Sequence, residues 1–93
     1  MEDKEEQLVA AGNQAEALLG AEIFTGTINA MVDGAFQAFA NSKPEDKEAR
    51  EHSYHHYRAL VDIVSTLQQR VQIKDEIEAK FAEANSDNHT ESE

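Results

Sequence analysis

The chain has 93 residues, a formal net charge of −11, no cysteine and no tryptophan. A chain of this length makes one small domain. The lack of cysteine excludes a disulfide framework, a thiolate metal site and a cysteine nucleophile. The first residues are acidic, unlike a signal peptide, and no apolar stretch approaches the ~20 residues of a membrane span. We therefore expect a cytoplasmic protein with no membrane partner.

The net negative charge is concentrated at the two ends of the sequence. Residues 1–41 carry seven acids against one base, Lys4, whereas 42–84 carry nine acids and seven bases. Phosphate contacts need clustered lysine and arginine, and the bases of the middle segment alternate with acids. The charge pattern therefore argues against direct nucleic-acid binding.

Two helices are predicted before residue 42. Apolar residues recur at helical spacing from Leu8 to Leu19, and Gly20 should end or bend that helix, because glycine readily takes the left-handed conformation of a C-cap. The next segment, 21–41, has an apolar face at steps of three and four. That face consists of Phe24, Ile28, Met31, Val32, Ala35 and Phe39.

A second regularity lies beside the apolar face of this helix. Gly26, Ala30, Gly34 and Ala38 recur every four residues. Each glycine inside a helix costs up to about 1 kcal/mol relative to alanine. Two on one ridge suggest a backbone that another helix approaches closely, although a merely weak helix is an equal alternative. We take these four residues as candidate interaction residues.

The segment 41–46 reads as a turn around Pro44, which disfavours helix at the preceding residue and suits the first turn of a new one. Ser42 and Glu45 have the spacing of a capping box, and Asp46 is an alternative N-cap. A connection this short makes the flanking helices antiparallel.

The run from Glu45 to Phe81 contains no proline or glycine and predicts one long helix. Its apolar stripe consists of Tyr57, Leu60, Val61, Val64, Leu67 and Val71. Ile73, Ile77 and Phe81 continue at steps of four but are displaced around the helix. We expect these three residues to contact 8–19 or a partner chain. From Asn85 onward no periodicity remains, and the composition predicts a disordered acidic tail over 85–93.

These elements predict an all-α fold, a long bent antiparallel helical hairpin of about three helices with coiled-coil-like pairing. The single domain covers 1–84. Its core is rich in alanine and thin for so long a helix, so we expect a dimer or higher oligomer.

The histidines are the best candidate for chemistry. His52 and His56 stand four residues apart on one helix face, a spacing that zinc accepts, but zinc sites need a third or fourth ligand and no HExxH motif exists. Solvated histidines are the more frequent explanation, and the two remain weak metal candidates. No nucleophile triad or phosphate-binding loop is present. We expect no enzyme activity and no cofactor.

A set of residues resembles a loose group of small helical proteins encoded in tailed-bacteriophage genomes, often near packaging and head genes. The resemblance covers about residues 15–83. It is carried by Leu18, Leu19, Phe24, Pro44, Asp46, Arg50, Glu51, Tyr54 and Leu60, with tyrosine at 54 where tryptophan is expected. It implies a phage context, in the host cytoplasm or the virion, and no defined activity.

Two functions are therefore expected from the sequence. The first is a non-enzymatic helical interaction protein, a phage accessory or virion-assembly factor, that binds itself and a larger protein. The alternative is an acidic inhibitor that mimics nucleic acid and occupies a host DNA- or RNA-binding protein. Mimicry predicts binding that collapses between low and moderate salt, whereas a packed helical interface persists.

Overall fold

The computed structural model describes the backbone of residues 3–91 and the side chains of residues 3–85. Within that range the chain forms three α-helices and no strand: α1 (Lys4–Gly20), α2 (Glu22–Ala40) and α3 (Lys47–Glu91). The predicted all-α class is confirmed. The structure divides into two compact units, Met1–Ala17 with Leu67–Glu93 and Leu18–Thr66. The single domain over 1–84 stays a prediction.

In the first unit, α1 packs on α3 through its smallest residues. Gly12 and Ala15 are three residues apart, share one side of α1 and are both buried. A β-carbon on Gly12 would lie 2.7 Å from the carbonyl oxygen of Arg70, so only a glycine lets the two backbones come this close. The buried residues that α3 contributes to this unit are Leu67, Lys74 and Ile77.

In the second unit, α2 pairs with the first part of α3. Ile28 and Leu60 are its buried apolar residues, and the rings of Phe39 and Tyr54 lie 6.4 Å apart next to the connecting turn. Every residue of the predicted α3 stripe is buried or half-buried, which confirms its direction. On α2 the predicted face is only partly covered, because Met31 and Phe39 remain exposed.

α1 ends at Gly20, as the sequence predicted, but by a different mechanism. No glycine among the described residues has a positive φ, so the left-handed C-cap does not form. The break is made by Ala21, whose φ of −85° and ψ of 117° are extended. The Ala21 amide donates to the carbonyl oxygen of Leu18 at 3.1 Å, which tightens the last turn of α1.

The predicted capping box at the start of α3 does not form. The Ser42 hydroxyl donates instead to the carbonyl oxygen of Phe39 at 2.7 Å, so it closes the end of α2. Asp46 directly precedes α3, and its carbonyl oxygen accepts the amide of Arg50 at 3.1 Å. The alternative N-cap position is therefore the one that the structure uses. Ser42 lies between the C-terminus of α2 and the N-terminus of α3, and its hydroxyl bonds to a carbonyl oxygen of α2.

The connecting turn is also fixed by a side chain from α3. Nη1 of Arg50 donates to the carbonyl oxygens of Lys43, at 3.0 Å, and Pro44, at 2.7 Å. Both bonds use the two hydrogens of Nη1, and the carbonyl oxygen of Lys43 also accepts the amide of Asp46 at 2.9 Å. Arg50 thereby links the connecting turn to the first helical turn of α3.

The predicted end of helical structure at residue 84 differs from the structure. α3 ends at Glu91, so helical backbone covers 85–91 of the segment predicted as a disordered tail, and residues 92–93 lie outside the described range. Neither glycine nor proline occurs between 85 and 91. Low helix propensity without such a residue weakens a helix but does not stop it.

Candidate interaction surface

The predicted ridge of small residues lies on the exposed side of α2. Gly26, Ala30, Gly34 and Ala38 are all exposed, and a β-carbon on either glycine would meet nothing within 4 Å. The expected close approach of another helix is therefore wrong within this chain. The reason is angular: at 100° per residue, Gly34 points about 120° away from the buried Ile28. A role of these four residues in binding a second chain stays a prediction.

Ile23 and Thr27 extend this ridge along α2. We define the outer face of α2 as Ile23, Gly26, Thr27, Ala30, Gly34 and Ala38. Ile23 is 83% exposed, the most exposed of the large hydrophobic residues described. None of the six residues is charged, although the whole chain carries −11. The outer face is thus an apolar, uncharged strip on a strongly acidic protein.

Thr27 adds less polarity to this face than its residue type suggests. Its hydroxyl donates to the carbonyl oxygen of Ile23 at 2.6 Å, within the helix. The donor is therefore satisfied, and the methyl group is what the side chain can offer to an approaching surface. The outer face needs no polar partner from another molecule.

A shallow groove between α2 and α3 borders the outer face. It is lined on α2 by Met31, Gly34 and Ala38, and on α3 by His52, Ser53 and His56. The rings of the two histidines lie 6.4 Å apart, edge to face. Among the described residues no group of three or more His, Cys, Asp or Glu side chains could hold a metal. The metal candidates are thus a pair of histidines on one helix, below the ligand count of a zinc site.

The three displaced apolar residues of α3 lie in the first unit. Ile77 is buried, whereas Ile73 and Phe81 are exposed. Phe81 lines a cleft together with Val9 and Asn13 of α1. The structure thus places one of these residues in the core of the unit and leaves the other two partly open.

Lys74 is a feature that the sequence reading missed. It is 6% exposed, the most buried charged residue among those described. Its Nζ pairs with Glu16 of α1 at 3.0 Å, and with Asp75 and Glu78 at 3.4 and 3.6 Å. The hydrogen bond to Glu16 raises the pKa of Lys74, although burial opposes the charge. Lys74 lies seven residues after Leu67 and three before Ile77. This helical spacing is the sequence signal that could have placed Lys74 on the buried face of α3.

Carboxylates around Lys74 are more than half exposed and hold an ion pair in place. No helix in the described part of the chain is long and apolar enough to cross a membrane. In comparisons with known proteins, no family model, curated protein or solved structure matches this chain. The resemblance to phage proteins therefore stays a prediction.

Proposed function

We propose that this chain is a non-enzymatic helical interaction protein that binds a second copy of itself through the outer face of α2. The observation that supports this most is the exposure of Ile23 beside two glycines with open space beyond them. Soluble monomers rarely leave contiguous apolar strips uncovered. Glycines on such a strip also allow a partner backbone to approach closely, since no β-carbon holds it away.

Charge favours a second copy at this face over other parts of the surface. Two chains of −11 repel each other wherever their acids meet. α2 carries only Glu22 and Asp33 as charged residues over its whole length. At physiological salt, charges more than about 8 Å away are largely screened. The outer face of α2 is therefore where two copies can touch with little repulsion.

Self-association is tested by sedimentation equilibrium over a hundredfold concentration range. The expected result is a mass that rises from monomer towards dimer. Ala30→Glu places a charge on the outer face and should stay monomeric. Asn29→Glu adds the same charge one position along the helix, off that face, and should behave as wild type. A monomeric mass for the wild-type chain at every concentration contradicts the proposal.

The alternative of an acidic nucleic-acid mimic is supported by net charge alone. Salt separates the two functions. Contacts through an uncharged apolar strip should survive 0.5 M salt, whereas binding by mimicry should weaken steeply.

A more specific proposal is that the chain is a phage accessory or assembly factor that also binds a larger protein. Its support is the sequence resemblance. Isolation of the tagged protein from its native host tests that role.

A further inference from the structure

The groove that borders the outer face of α2 is suited to an aliphatic side chain. No Asp, Glu, Lys or Arg side chain lines it. Gly34 and Ala38 belong both to this groove and to the outer face, so the groove opens onto that face. A β-carbon on Gly34 would meet nothing within 4 Å, which leaves room for an incoming side chain. We call it the histidine groove, lined by Met31, Gly34 and Ala38 of α2 and by His52, Ser53 and His56 of α3.

Ile23 is an exposed aliphatic side chain on the same outer face. It is 83% exposed, and covering it removes apolar surface from water, which favours association. Ile23 lies 11 positions before Gly34, or about 16 Å along the helix, so it cannot reach the histidine groove of its own chain. Only a second copy can bring an Ile23 side chain to this groove.

The spacing of residues along α2 sets the register in which two copies fit. Gly26 and Gly34 lie four positions on either side of Ala30. In an antiparallel pair of α2 helices that cross at Ala30, Gly26 of each copy lies opposite Gly34 of the other. Both glycines face open space, so the two backbones can approach closely at both points. In this register Ile23 of one copy lies level with the interval between Gly34 and Ala38 of the other, at the mouth of the histidine groove.

Charge favours this antiparallel orientation over a parallel one. Glu22 and Asp33 are the only charged residues of α2. In a parallel pair each of these carboxylates lies level with its own copy in the partner helix, where the two repel. In an antiparallel pair about Ala30 the two Glu22 residues are about 24 Å apart along the helix, and the two Asp33 residues about 9 Å. Both separations exceed the screening length of about 8 Å at physiological salt.

We propose that two copies pair antiparallel about Ala30, and that Ile23 of each copy packs into the histidine groove of the other. A two-fold axis makes the contact reciprocal, so that each dimer contains it twice. The residues that Ile23 meets are Gly34, Ala38 and the two histidines. This proposal rests on the proposed function, since it names the orientation of the self-association and the pocket that receives its anchor.

Disulfide cross-linking between two different variants tests the orientation. Gly26→Cys is mixed with isotope-labelled Gly34→Cys and oxidised, and the intact mass shows which chains are joined. The mixture should give the labelled–unlabelled dimer in high yield, because the two Cα atoms lie within about 7 Å across the interface. Each variant alone should give little covalent dimer, because its two cysteines lie about 12 Å apart along the helix. Ala30→Cys alone should cross-link to itself.

Truncations test the pocket. Ile23→Ala should weaken self-association at least about tenfold in sedimentation equilibrium. Ile63→Ala, a matched truncation of an isoleucine that is 46% exposed on α3, should leave it unchanged. The variant His52→Ala with His56→Ala should also weaken association. Combined with Ile23→Ala, its effect should be smaller than the product of the two separate fold-changes, because both remove the same contact. Circular dichroism checks that each variant folds, as expected for exposed residues.

Three results overturn the proposal while the wild type still dimerises. The first is a mixed disulfide no more abundant than the disulfides that Gly26→Cys and Gly34→Cys form alone. The second is unchanged association of Ile23→Ala. The third is a combined variant whose loss equals the product of the separate fold-changes, since Ile23 then lies outside the histidine groove. Failure of the proposed function is distinct: a wild-type chain that sediments as a monomer at every concentration overturns the self-association itself.

Discussion

Gly12 of α1 lies directly against Lys74 of α3, so closely that a β-carbon on the glycine would collide with the β-carbon of the lysine. The same lysine reaches back to Glu16, one turn further along α1. The close approach at Gly12 and the ion pair of Lys74 thus belong to the same contact between α1 and α3. Gly12 sets the distance between the two helices, and Lys74 links them through Glu16.

This contact predicts opposite effects for two glycine substitutions. Gly12→Ala should lower the free energy of unfolding by roughly 1–3 kcal/mol, because Arg70 and Lys74 leave no space for a methyl group. Gly34→Ala should raise it by about 0.4–1 kcal/mol, because the site is open and alanine restricts the unfolded chain. Denaturant unfolding measures both changes in free energy. The protein concentration is kept low enough that no second copy covers α2. A stabilised Gly12→Ala variant would show that the helices separate easily.

The ion pairs of Lys74 predict how stability responds to alkaline pH. The folded state raises the pKa of Lys74 above its unfolded value, so folding favours the charged amine. The contribution is therefore complete below the ordinary lysine pKa of about 10.4 and is lost as the pH rises through the higher folded value. The stability difference between wild type and Lys74→Met should be constant to about pH 10 and shrink above it. Lys80→Met, at an exposed position, is the control. A difference that grows above pH 10 contradicts the sign.

The turn between α2 and α3 should depend on Arg50. Arg50→Met removes the two hydrogen bonds to the carbonyls of Lys43 and Pro44. The turn is exposed and water can replace part of each bond, so we expect a loss of about 1 kcal/mol in unfolding free energy. Arg58→Met removes only an exposed ion pair and should change stability by less than about 0.5 kcal/mol. Equal effects of the two changes would show that the turn does not need the guanidinium.

The chain should not bind duplex DNA at about 150 mM salt. Its bases on α3 are interleaved with acids, and counterion release needs several phosphates neutralised together. Lys47 and Arg58, for example, share one face of α3 with Glu51, and Arg58 also pairs with Asp62 at 3.7 Å. A mobility-shift assay checks this expectation. Micromolar or tighter binding would overturn the preference for a protein partner.

The all-α class and the helix positions were predictable because apolar spacing and turn residues are local signals. The apolar stripe of α3 that contains Leu60 is an example, since each of its residues is buried or half-buried. Which glycine permits a close contact was harder to predict. Gly12 lies on the apolar stripe of α1, four residues after Leu8 and three before Ala15, and this position was the available signal. Gly26 and Gly34 lie off the stripe of Ile28, where a regular spacing says nothing about burial.

Two features were not predicted, namely the contacts of Arg50 with the connecting turn and the groove between α2 and α3 that is lined by Phe36, Phe39, Tyr54 and Tyr57. Phe36 and Tyr54 are 18 positions apart in the sequence, and spacing along one helix cannot show which side chains meet across two. Ser42 illustrates the same limit at short range, because its sequence position suits the end of α2 as well as the start of α3. The neighbouring helix decides these contacts, and its register is set by the packing of the whole unit.

The central claim is that the outer face of α2 meets the same face of a second copy. The chain has no cysteine, so single-cysteine variants report this contact without background. Gly26→Cys, Ala30→Cys, Gly34→Cys and Ala38→Cys would each be oxidised at a concentration where the wild type dimerises. A disulfide needs Cα atoms within about 7 Å of each other, so at least one variant near the crossing point should form a covalent dimer in high yield. Asn29→Cys, which points about 100° away from Ala30 on the same helix, is the control. If none of the four variants forms more dimer than this control, the outer face of α2 is not the interface.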